Sequence, residues 1–342
     1  MGADNAVADK SGNVTLTLLG VVPIKTVRAV STPRRTVQVC GTPFGVKMFS
    51  DGALIVAFSD RYTALGSENP AKAAGLRLGD WIVSAGERPV RSNDDLTAAI
   101  QAADGASLSV VYRRDGVQHT AALTPAQDEK GRYKAGVWVR DSGAGIGTMS
   151  FVDAQHGTFA GLGHSISDTD TGTELTLLSG EIVPVTITGC IRGAAGSPGE
   201  LRGEFSAKAV GQVLANDAAG VYGSYTGGTI GQAVPVANVQ EVTPGEAELW
   251  TTVQGTTAQP YKVRIERVTM TGSDPNRNLL IKVTDERLLE KTGGIVQGMS
   301  GSPIVQNGQL AAVLTHVLVN DPAKGYAIFA ATMLEKADAV IK

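Results

Sequence analysis

The sequence has little of what identifies several protein classes. Of its 342 residues two are cysteine and four are histidine, and aromatic residues make up 5%. No apolar run approaches the roughly 20 residues that cross a bilayer. Acidic and basic residues are interspersed and sum to a net charge of −3, without the basic stripe that binds a phosphate backbone. These absences argue against a disulfide framework, a membrane span within these residues and a nucleic-acid partner.

The two cysteines, Cys40 and Cys190, lie far apart in the sequence and cannot form a Cys-x-x-Cys metal site. A single bridge between them is open in an oxidising compartment, and two ordinary buried or half-buried thiols are the alternative. The sequence calls for no metal and no organic cofactor.

Glycine, in contrast, is abundant with 42 residues, and short β-prone runs are separated by Gly, Asp, Asn and Pro. This pattern is typical of short strands joined by turns. A length of 342 residues exceeds one ordinary domain. We therefore predict a mainly β protein with two domains, preceded by an arm or linker over residues 1–36.

Residues 37–125 carry the elements of a small α+β domain. The segment from Asn69 to Gly75 has a helix N-cap, a proline at the first helical position and a terminating glycine, which predicts a short helix. A second helix is predicted from Ser92 to Ala103. The order of elements and the Ala-Gly-Leu-x-x-Gly-Asp-x-Ile spacing resemble a PDZ domain.

Within this domain, Phe44, Gly45 and Val46 form an apolar-Gly-apolar sequence that leads into a strand. A turn of this kind presents successive amides to a peptide carboxylate, and the strand edge behind it accepts an added strand. We predict that these residues form the peptide-binding loop; an apolar turn that closes a small barrel is the alternative. Residues 126–134 are polar and predict a linker, with the second domain over 135–342.

The most informative segment of the second domain is Gly-Met-Ser-Gly-Ser-Pro at 298–303, which resembles the nucleophile segment of trypsin-like serine peptidases. A serine hydroxyl is a weak nucleophile unless its surroundings activate it. Gly298 and the glycine after Ser300 allow a tight turn that directs the amides of Gly298 and Ser300 at one point, as an oxyanion hole requires. Ser300 is therefore the predicted nucleophile.

The general base is one of four histidines. His164 ends a strand-like segment, as the catalytic histidine of trypsin-like enzymes ends a strand of their first barrel, and its imidazole suits proton transfer near neutral pH. His316 is the main alternative. Alignment on the nucleophile segment instead places Thr315 and His316 on the strand that borders the substrate cleft. His119 and His156 are predicted to be surface residues.

The residues alone leave the triad acid open. Asp168 and Asp170 follow His164 closely, but their sequence is equally typical of a solvated turn. Asp285 precedes Ser300 in the same region of the chain. Its alternative interpretation is a helix N-cap, because it stands directly before Glu-Arg-Leu-Leu-Glu-Lys at 286–291.

From Leu-Leu-Gly-Val-Val-Pro-Ile-Lys at 18–25 through Gly-Gly-Ile-Val-Gln-Gly-Met-Ser-Gly-Ser-Pro to Thr-His-Val-Leu-Val-Asn-Asp-Pro at 315–322, the chain resembles the SpoIVB peptidase family of endospore-forming bacteria. The resemblance implies that His164, Asp285 and Ser300 are catalytic. The expected architecture is an N-terminal PDZ-like domain followed by a chymotrypsin-like double β-barrel serine peptidase domain.

The same resemblance implies a signalling protease of sporulation that cuts a membrane-embedded regulatory protein, and also itself, and so triggers processing of a late sigma factor. We expect it outside the cytoplasm, in the intermembrane space of the developing spore, with a native membrane anchor absent from this chain. Met299 stands where digestive enzymes have aspartate, which excludes activation by pairing with a new N-terminal amine. The alternative function is a PDZ-mediated binding or scaffold protein with an inactive protease-like domain.

Overall fold

The computed structural model describes residues 13–18, 22–28, 34–63, 66–270 and 274–340. The chain divides into two compact units, residues 1–35 and 36–342. In the first unit, strands β1 (Asn13–Leu18) and β2 (Val22–Arg28) form an antiparallel pair. Among the described residues, no helix has the length and apolarity needed to cross a membrane.

The second unit begins with a long strand that leads into the PDZ-like part. Its elements are β3 (Thr36–Phe58), β4 (Arg61–Thr63), β5 (Gly66–Glu68), α1 (Pro70–Ala73), β6 (Trp81–Ala85), β7 (Arg88–Pro89), α2 (Asn93–Ala102), β8 (Leu108–Arg114) and β9 (Val117–Leu123). Both predicted helices are present and capped as the sequence indicates. The side chains of Asn69 and Ser92 accept the amides of Lys72 and Asp95 at 3.0 and 3.1 Å.

The Gly-Asp of the PDZ-like motif has a structural purpose. Asp80 is 1% exposed, and its carboxylate accepts two hydrogen bonds of 2.7 Å from Arg114 and a third, also of 2.7 Å, from the amide of Arg77. A buried carboxylate without hydrogen-bond partners would destabilise the fold, and these three bonds offset the loss of water around Asp80. They fix the corner between α1 and β6 onto β8.

The next part of the chain forms a first β-barrel. Two short strands, β10 (Ala126–Gln127) and β11 (Tyr133–Lys134), pair with each other in a separate hairpin before it. The barrel elements are β12 (Val137–Asp153), β13 (Thr158–Gly161), β14 (Leu177–Ile191), β15 (Glu200–Phe205), β16 (Gly211–Asp217), β17 (Gly220–Tyr225) and β18 (Gln232–Pro235). Antiparallel pairings run from β3 to β12, β13, β17, β16, β14 and back to β3, which closes a ring. Strand β18 adds to the start of β3.

A second barrel follows. Its strands are β19 (Gly245–Thr251), β20 (Gln259–Val268), β21 (Leu279–Val283), β22 (Pro303–Gln306), β23 (Gln309–Leu318) and β24 (Asp321–Phe329). They close in the order β19, β20, β21, β24, β23, β22. Helix α3 (Glu286–Thr292) precedes β22, and α4 (Ala330–Val340) follows β24; two 3-10 turns, Val239–Glu241 and Pro275–Arg277, complete the elements. The predicted double β-barrel fold is confirmed.

Helix α4 joins the two barrels through a shared core. Its buried residues Met333 and Leu334 pack in one cluster with Phe151 and Tyr222 of the first barrel and Ile328 of the second. Burying this apolar surface favours one fixed arrangement of the barrels. The groove between the barrels is therefore a built feature of the fold.

The prediction for Phe44, Gly45 and Val46 is wrong. These residues lie in the middle of β3, paired with β12 on one edge and with β14 on the other. Phe44 is 2% exposed, and its ring packs edge to face on Phe159 with centroids 6.0 Å apart. Because both edges of the strand are hydrogen-bonded, these amides are not available to a peptide carboxylate. The alternative was an apolar turn that closes a small barrel. The segment does help to close a barrel, but it does so as a strand.

Two strands pass from the PDZ-like part into the first barrel. Up to Ser50, β3 pairs with barrel strands, whereas Ala53 and Leu54 pair with β6 of the PDZ-like part. Strand β12 runs beside β3 from Phe58 back to Gln38. The predicted domain limits stay a prediction, and the two parts share the backbone of two strands.

Cys40 and Cys190 are both free thiols. Cys40 is buried, and burial raises the pKa of its thiol to about 12, which keeps it protonated and unreactive. The bridge left open from the sequence is not formed in this structure.

Candidate active site

The loop that carries Ser300 depends on two glycines with positive φ. Gly298 has φ +95° and Gly301 φ +97°. A side chain at Gly301 would collide with the carbonyl oxygen of Thr148 and the amide of Leu162, both in the first barrel. Glycine is required at 301 for conformation and for space, because the loop approaches the neighbouring backbone so closely.

Thr148, on β12 of the first barrel, holds this loop at two points. Its amide donates to the carbonyl oxygen of Ser300 at 2.9 Å, and its hydroxyl donates to the carbonyl oxygen of Gly298 at 2.8 Å. Thr148 is 1% exposed, so both bonds are shielded from water. The nucleophile loop of the second barrel is thereby fixed to the first barrel.

The predicted oxyanion-hole amides are oriented by the carbonyls that precede them. The carbonyl oxygen of Gln297 accepts the amide of Leu201 at 2.8 Å, and that of Met299 accepts the amide and hydroxyl of Ser302 at 2.9 and 2.6 Å. In a trans peptide the N–H points away from the C=O, so the amides of Gly298 and Ser300 point away from these anchors. Neither amide donates a hydrogen bond to another described residue. Two oriented donors without an internal acceptor are what an oxyanion hole requires.

Ser300 opens onto a cleft of about 710 Å³ lined by residues of both barrels. His164, Gly298, Thr315 and His316 line the same cleft. The hydroxyl of Ser300 donates to the carbonyl oxygen of Thr315 at 2.8 Å. Attack on a substrate requires that this hydrogen bond be exchanged for one to a base.

His164 is held with one ring nitrogen engaged. Its Nδ1 lies 2.7 Å from the carbonyl oxygen of Ser165. A carbonyl only accepts, so Nδ1 carries the hydrogen and Nε2 keeps the lone pair that a general base needs. Burial lowers the pKa of His164 from its ordinary value, opposed by this hydrogen bond to Ser165. The neutral imidazole is therefore the form present at neutral pH.

The ring of His316 lies beside that of His164 in the cleft, with ring centroids 5.0 Å apart. The pKa of His316 is lowered to about 4, mainly because the ring is buried away from water and secondly because His164 lies next to it. Thr315 beside it is fully buried, and its hydroxyl lies 2.7 Å from the carbonyl oxygen of Asn276. The side chain of Thr315 is thus engaged inside the protein, and its carbonyl oxygen accepts the hydroxyl of Ser300.

Asp285 is not among the residues that line the cleft. It caps α3. Its carboxylate accepts hydrogen bonds from the guanidinium group of Arg287, from the Arg287 amide at 3.0 Å and from the amide of Lys262 at 3.1 Å. These hydrogen bonds, above all those from the Arg287 side chain, lower the pKa of Asp285 to about 2. The helix-cap interpretation describes this geometry, and the role of Asp285 as triad acid stays a prediction.

The two other candidate acids bind an arginine. Arg140 forms ion pairs with Asp168 and with Asp170, and both Arg140 and Asp168 line the cleft. Asp168 is 2% exposed and also accepts the amide of Thr171 at 2.8 Å. The structure thus brings together His164, Ser300, Gly298, Thr315 and His316, and leaves Asp285, Asp168 and Asp170 bound to other groups.

Comparison with known protein families gives two matches. The family described as SpoIVB peptidase S55 matches residues 131–334, more than half of the chain, and a PDZ domain matches residues 45–124. The chain belongs to the SpoIVB peptidase S55 family. It is a PDZ-containing serine peptidase, whose substrate site takes a peptide or protein.

Solved structures show more distant similarity. A protease from M. tuberculosis in its active form is 16% identical over 58% of this chain and 74% of its own, with a TM-score of 0.35. The HtrA-type protease AlgW with a decapeptide is 12% identical over 63% and 58%, with a TM-score of 0.35. The PDZ domain of an SdrC-like protein from Listeria monocytogenes is 21% identical over 26% and 87%, with a TM-score of 0.22. None of the curated proteins compared with the chain matches it.

Sequence reasoning missed Thr148 and Arg140. Thr148 fixes the nucleophile loop and Arg140 binds the two aspartates that follow His164. Both lie on β12, and their partners are distant in the chain. No local motif marks either residue, because their importance arises only when the barrels come together.

The pH dependence of this peptidase should follow His164. Its imidazole must be neutral to accept the serine proton, and burial disfavours the charged form, so activity is full above the lowered pKa and lost as pH falls through it. We expect the acidic limb of kcat/KM to lie below pH 6.5, the ordinary pKa of histidine. Measuring kcat/KM against pH for the wild type tests this; a limb at or above that value contradicts it. His119→Gln, on β9, is the control and should leave the profile unchanged.

Proposed function

We propose that this peptidase is an endopeptidase in which Ser300 attacks the peptide carbonyl and Nε2 of His164 accepts the serine proton. His164 then returns the proton to the leaving amine, and water repeats the cycle on the acyl-enzyme. The amides of Gly298 and Ser300 hold the oxyanion. The observation that carries the proposal is the single cleft lined by Ser300 and His164, next to two oriented and unengaged amides.

Thr315 and His316 take part in the proposal as the wall that receives substrate. The carbonyl oxygen of Thr315, which accepts the Ser300 hydroxyl in this structure, is a backbone acceptor for an extended peptide. Substrate that binds there would release the hydroxyl towards His164. Binding and activation of the nucleophile would then be coupled.

Asp285 enters the proposal on the family resemblance alone, as the acid that orients His164. In this structure the carbonyl of Ser165 already fixes the tautomer, and Asp285 is engaged by Arg287. For Asp285 to reach His164 its contacts with Arg287 would have to change.

The biological context is proposed on the same resemblance. We infer that the substrate is a membrane-associated regulatory protein of sporulation, that its cleavage triggers late sigma-factor processing, and that the enzyme also cuts itself. Its place would be the space between the two membranes of the developing spore, in a membrane-anchored form. A binding or scaffold role without catalysis is the alternative, and the prepared amides of Gly298 and Ser300 favour the enzyme.

Ser300→Ala should abolish cleavage of denatured casein and any shortening of the chain itself, because no other hydroxyl occupies the nucleophile position. Mass spectrometry of the products over time measures both. Ser109→Ala, an exposed serine on β8, is the matched control and should cut as the wild type does. Undiminished proteolysis by the Ser300 variant, with an unchanged circular dichroism spectrum, would refute the nucleophile.

Asp285→Asn and Asp168→Asn together test the acid. If Asp285 orients His164, Asp285→Asn should lower kcat by about 10³- to 10⁴-fold with little change in KM, and Asp168→Asn should change kcat far less. Steady-state kinetics with one peptide, together with thermal unfolding of each variant, separates catalysis from stability. A drop in stability alone for Asp285→Asn assigns that residue to helix capping and removes it from the triad.

A further inference from the structure

Strand β12 has an unpaired edge that ends at the nucleophile. One edge pairs with β3 along the strand, and β13 pairs with the other only from Met149 onward. In the described part of the chain no strand pairs with that second edge over residues 137–147. The next residue, Thr148, donates its amide to the carbonyl oxygen of Ser300 at 2.9 Å. Since strand residues present their backbone groups to alternate edges, Ile146 and Ala144 face the same way as Thr148.

The solvent exposure of β12 drops at the point where this open edge ends. Every residue over 137–146 is exposed or half-buried, whereas every residue over 147–153 is buried. The stretch near the catalytic cleft is built of small residues, Ser-Gly-Ala-Gly at 142–145. A side chain at Gly145 would meet no atom within 4 Å. The face of the sheet beside this edge therefore has room for the side chains of an added strand, and the unpaired backbone groups of the edge supply the hydrogen bonds that strand addition requires.

Two cavities lie on consecutive stretches of this strand. The catalytic cleft is lined by Arg140 and residues 142–147, and a second cavity of about 1210 Å³ is lined by residues 137–139 and Asp141. Helix α2 and the β10–β11 hairpin form the walls of the second cavity. The register of β12 against β3 breaks between Trp138 and Val139 and again between Arg140 and Ser142, so the edge bends between the two cavities. At about 3.3 Å per residue, the stretch from Trp138 to Ile146 reaches at most roughly 26 Å, the length of a nine-residue extended peptide.

The second cavity is acidic with one large apolar surface. Its charged lining residues are five acids and one base: Asp60, Asp94, Asp128, Glu129, Asp141 and Lys134. Asp60 and Asp128 are paired with Lys72 and Arg132, whereas in the described residues neither Asp94 nor Glu129 forms an ion pair with another side chain. Trp138 is 65% exposed at the same place. A partner with lysine or arginine beside apolar side chains is complementary to this surface, since arginine and lysine also bind over aromatic rings.

We propose that substrate binds as an added strand along the open edge of β12, from the cavity beside α2 into the catalytic cleft, and that the segment beside α2 is rich in lysine or arginine. The inference rests on the proposed endopeptidase function, because it names the form and chemistry of the substrate of that site. The PDZ-like part then binds the same polypeptide segment that the barrels cut. It binds this segment through β12, and not through the Phe44 segment.

Binding to the catalytically inactive Ser300→Ala protein tests this without depending on cleavage. The probes are a fluorescein-labelled peptide of alternating valine and lysine, about sixteen residues long, a truncation of about six residues, and a version with glutamate for lysine. By fluorescence anisotropy we expect the long basic peptide to bind at least about tenfold more tightly than either of the others, because it occupies both cavities at once. Equal binding of all three would overturn the proposal.

Variants locate the binding. Asp94→Lys and Trp138→Ala should each remove most of the gain from length, whereas the matched changes Glu335→Lys on α4 and Val117→Ala on β9 should leave it in place. Ala144→Pro removes one outward amide and should weaken the long peptide more than Ala144→Val, which keeps the amide. If the control variants weaken binding as much, or if Ala144→Pro and Ala144→Val behave alike, substrate does not pair with β12. Should binding follow these expectations while the wild type cuts neither peptide nor casein, the endopeptidase proposal fails, and the proposed peptide-binding edge of β12 stands.

Discussion

The two hydrogen bonds from Thr148 to the nucleophile loop are the constraint on which the site depends. They cross from the first barrel to the second and hold the carbonyls of Gly298 and Ser300 in a shielded position. Glycine at 301 is what lets the two backbones come this close. With these carbonyls and those of Gln297 and Met299 anchored, the amides of Gly298 and Ser300 keep one orientation. Catalysis by preorganised dipoles needs that orientation before the substrate arrives.

The same strand that supplies Thr148 also belongs to the PDZ-like part. Strands β3 and β12 run side by side through both regions, so the two regions share continuous backbone. The separation of recruitment and cleavage into two independent modules does not describe this arrangement. The catalytic cleft and the cavity beside α2 lie along one strand, and a peptide that pairs with it would be positioned by both.

Local sequence signals predicted the parts of this protein that local chemistry determines. The caps at Asn69 and Ser92, the glycines around Ser300 and the β-rich character follow from short-range rules, and each is present. The chain has only four histidines, and the structure places His164, the predicted base, on the cleft with Ser300.

Features set by distant pairing were not predictable in this way. The Phe44 segment has the pattern of a peptide-binding turn, yet its edges are taken by β12 and β14, which follow about a hundred residues later or more. Thr148 and Arg140 carry no motif, and Asp285 has two compatible patterns, a helix cap and a triad acid. Sequence spacing alone does not choose between them, because the choice depends on which partner the folded chain brings near.

The most direct test of the account is the rate at which a fluorophosphonate probe labels Ser300. The probe reacts only with a serine that a base activates, so the site of labelling identifies the nucleophile and the rate reports the base. We predict labelling at Ser300 in the wild type, a loss of about a hundredfold or more in His164→Ala, and a much smaller loss in His316→Ala. Labelling elsewhere, or a His164→Ala protein that reacts as fast as the wild type, would contradict the assignment of His164 and Ser300 to one catalytic centre.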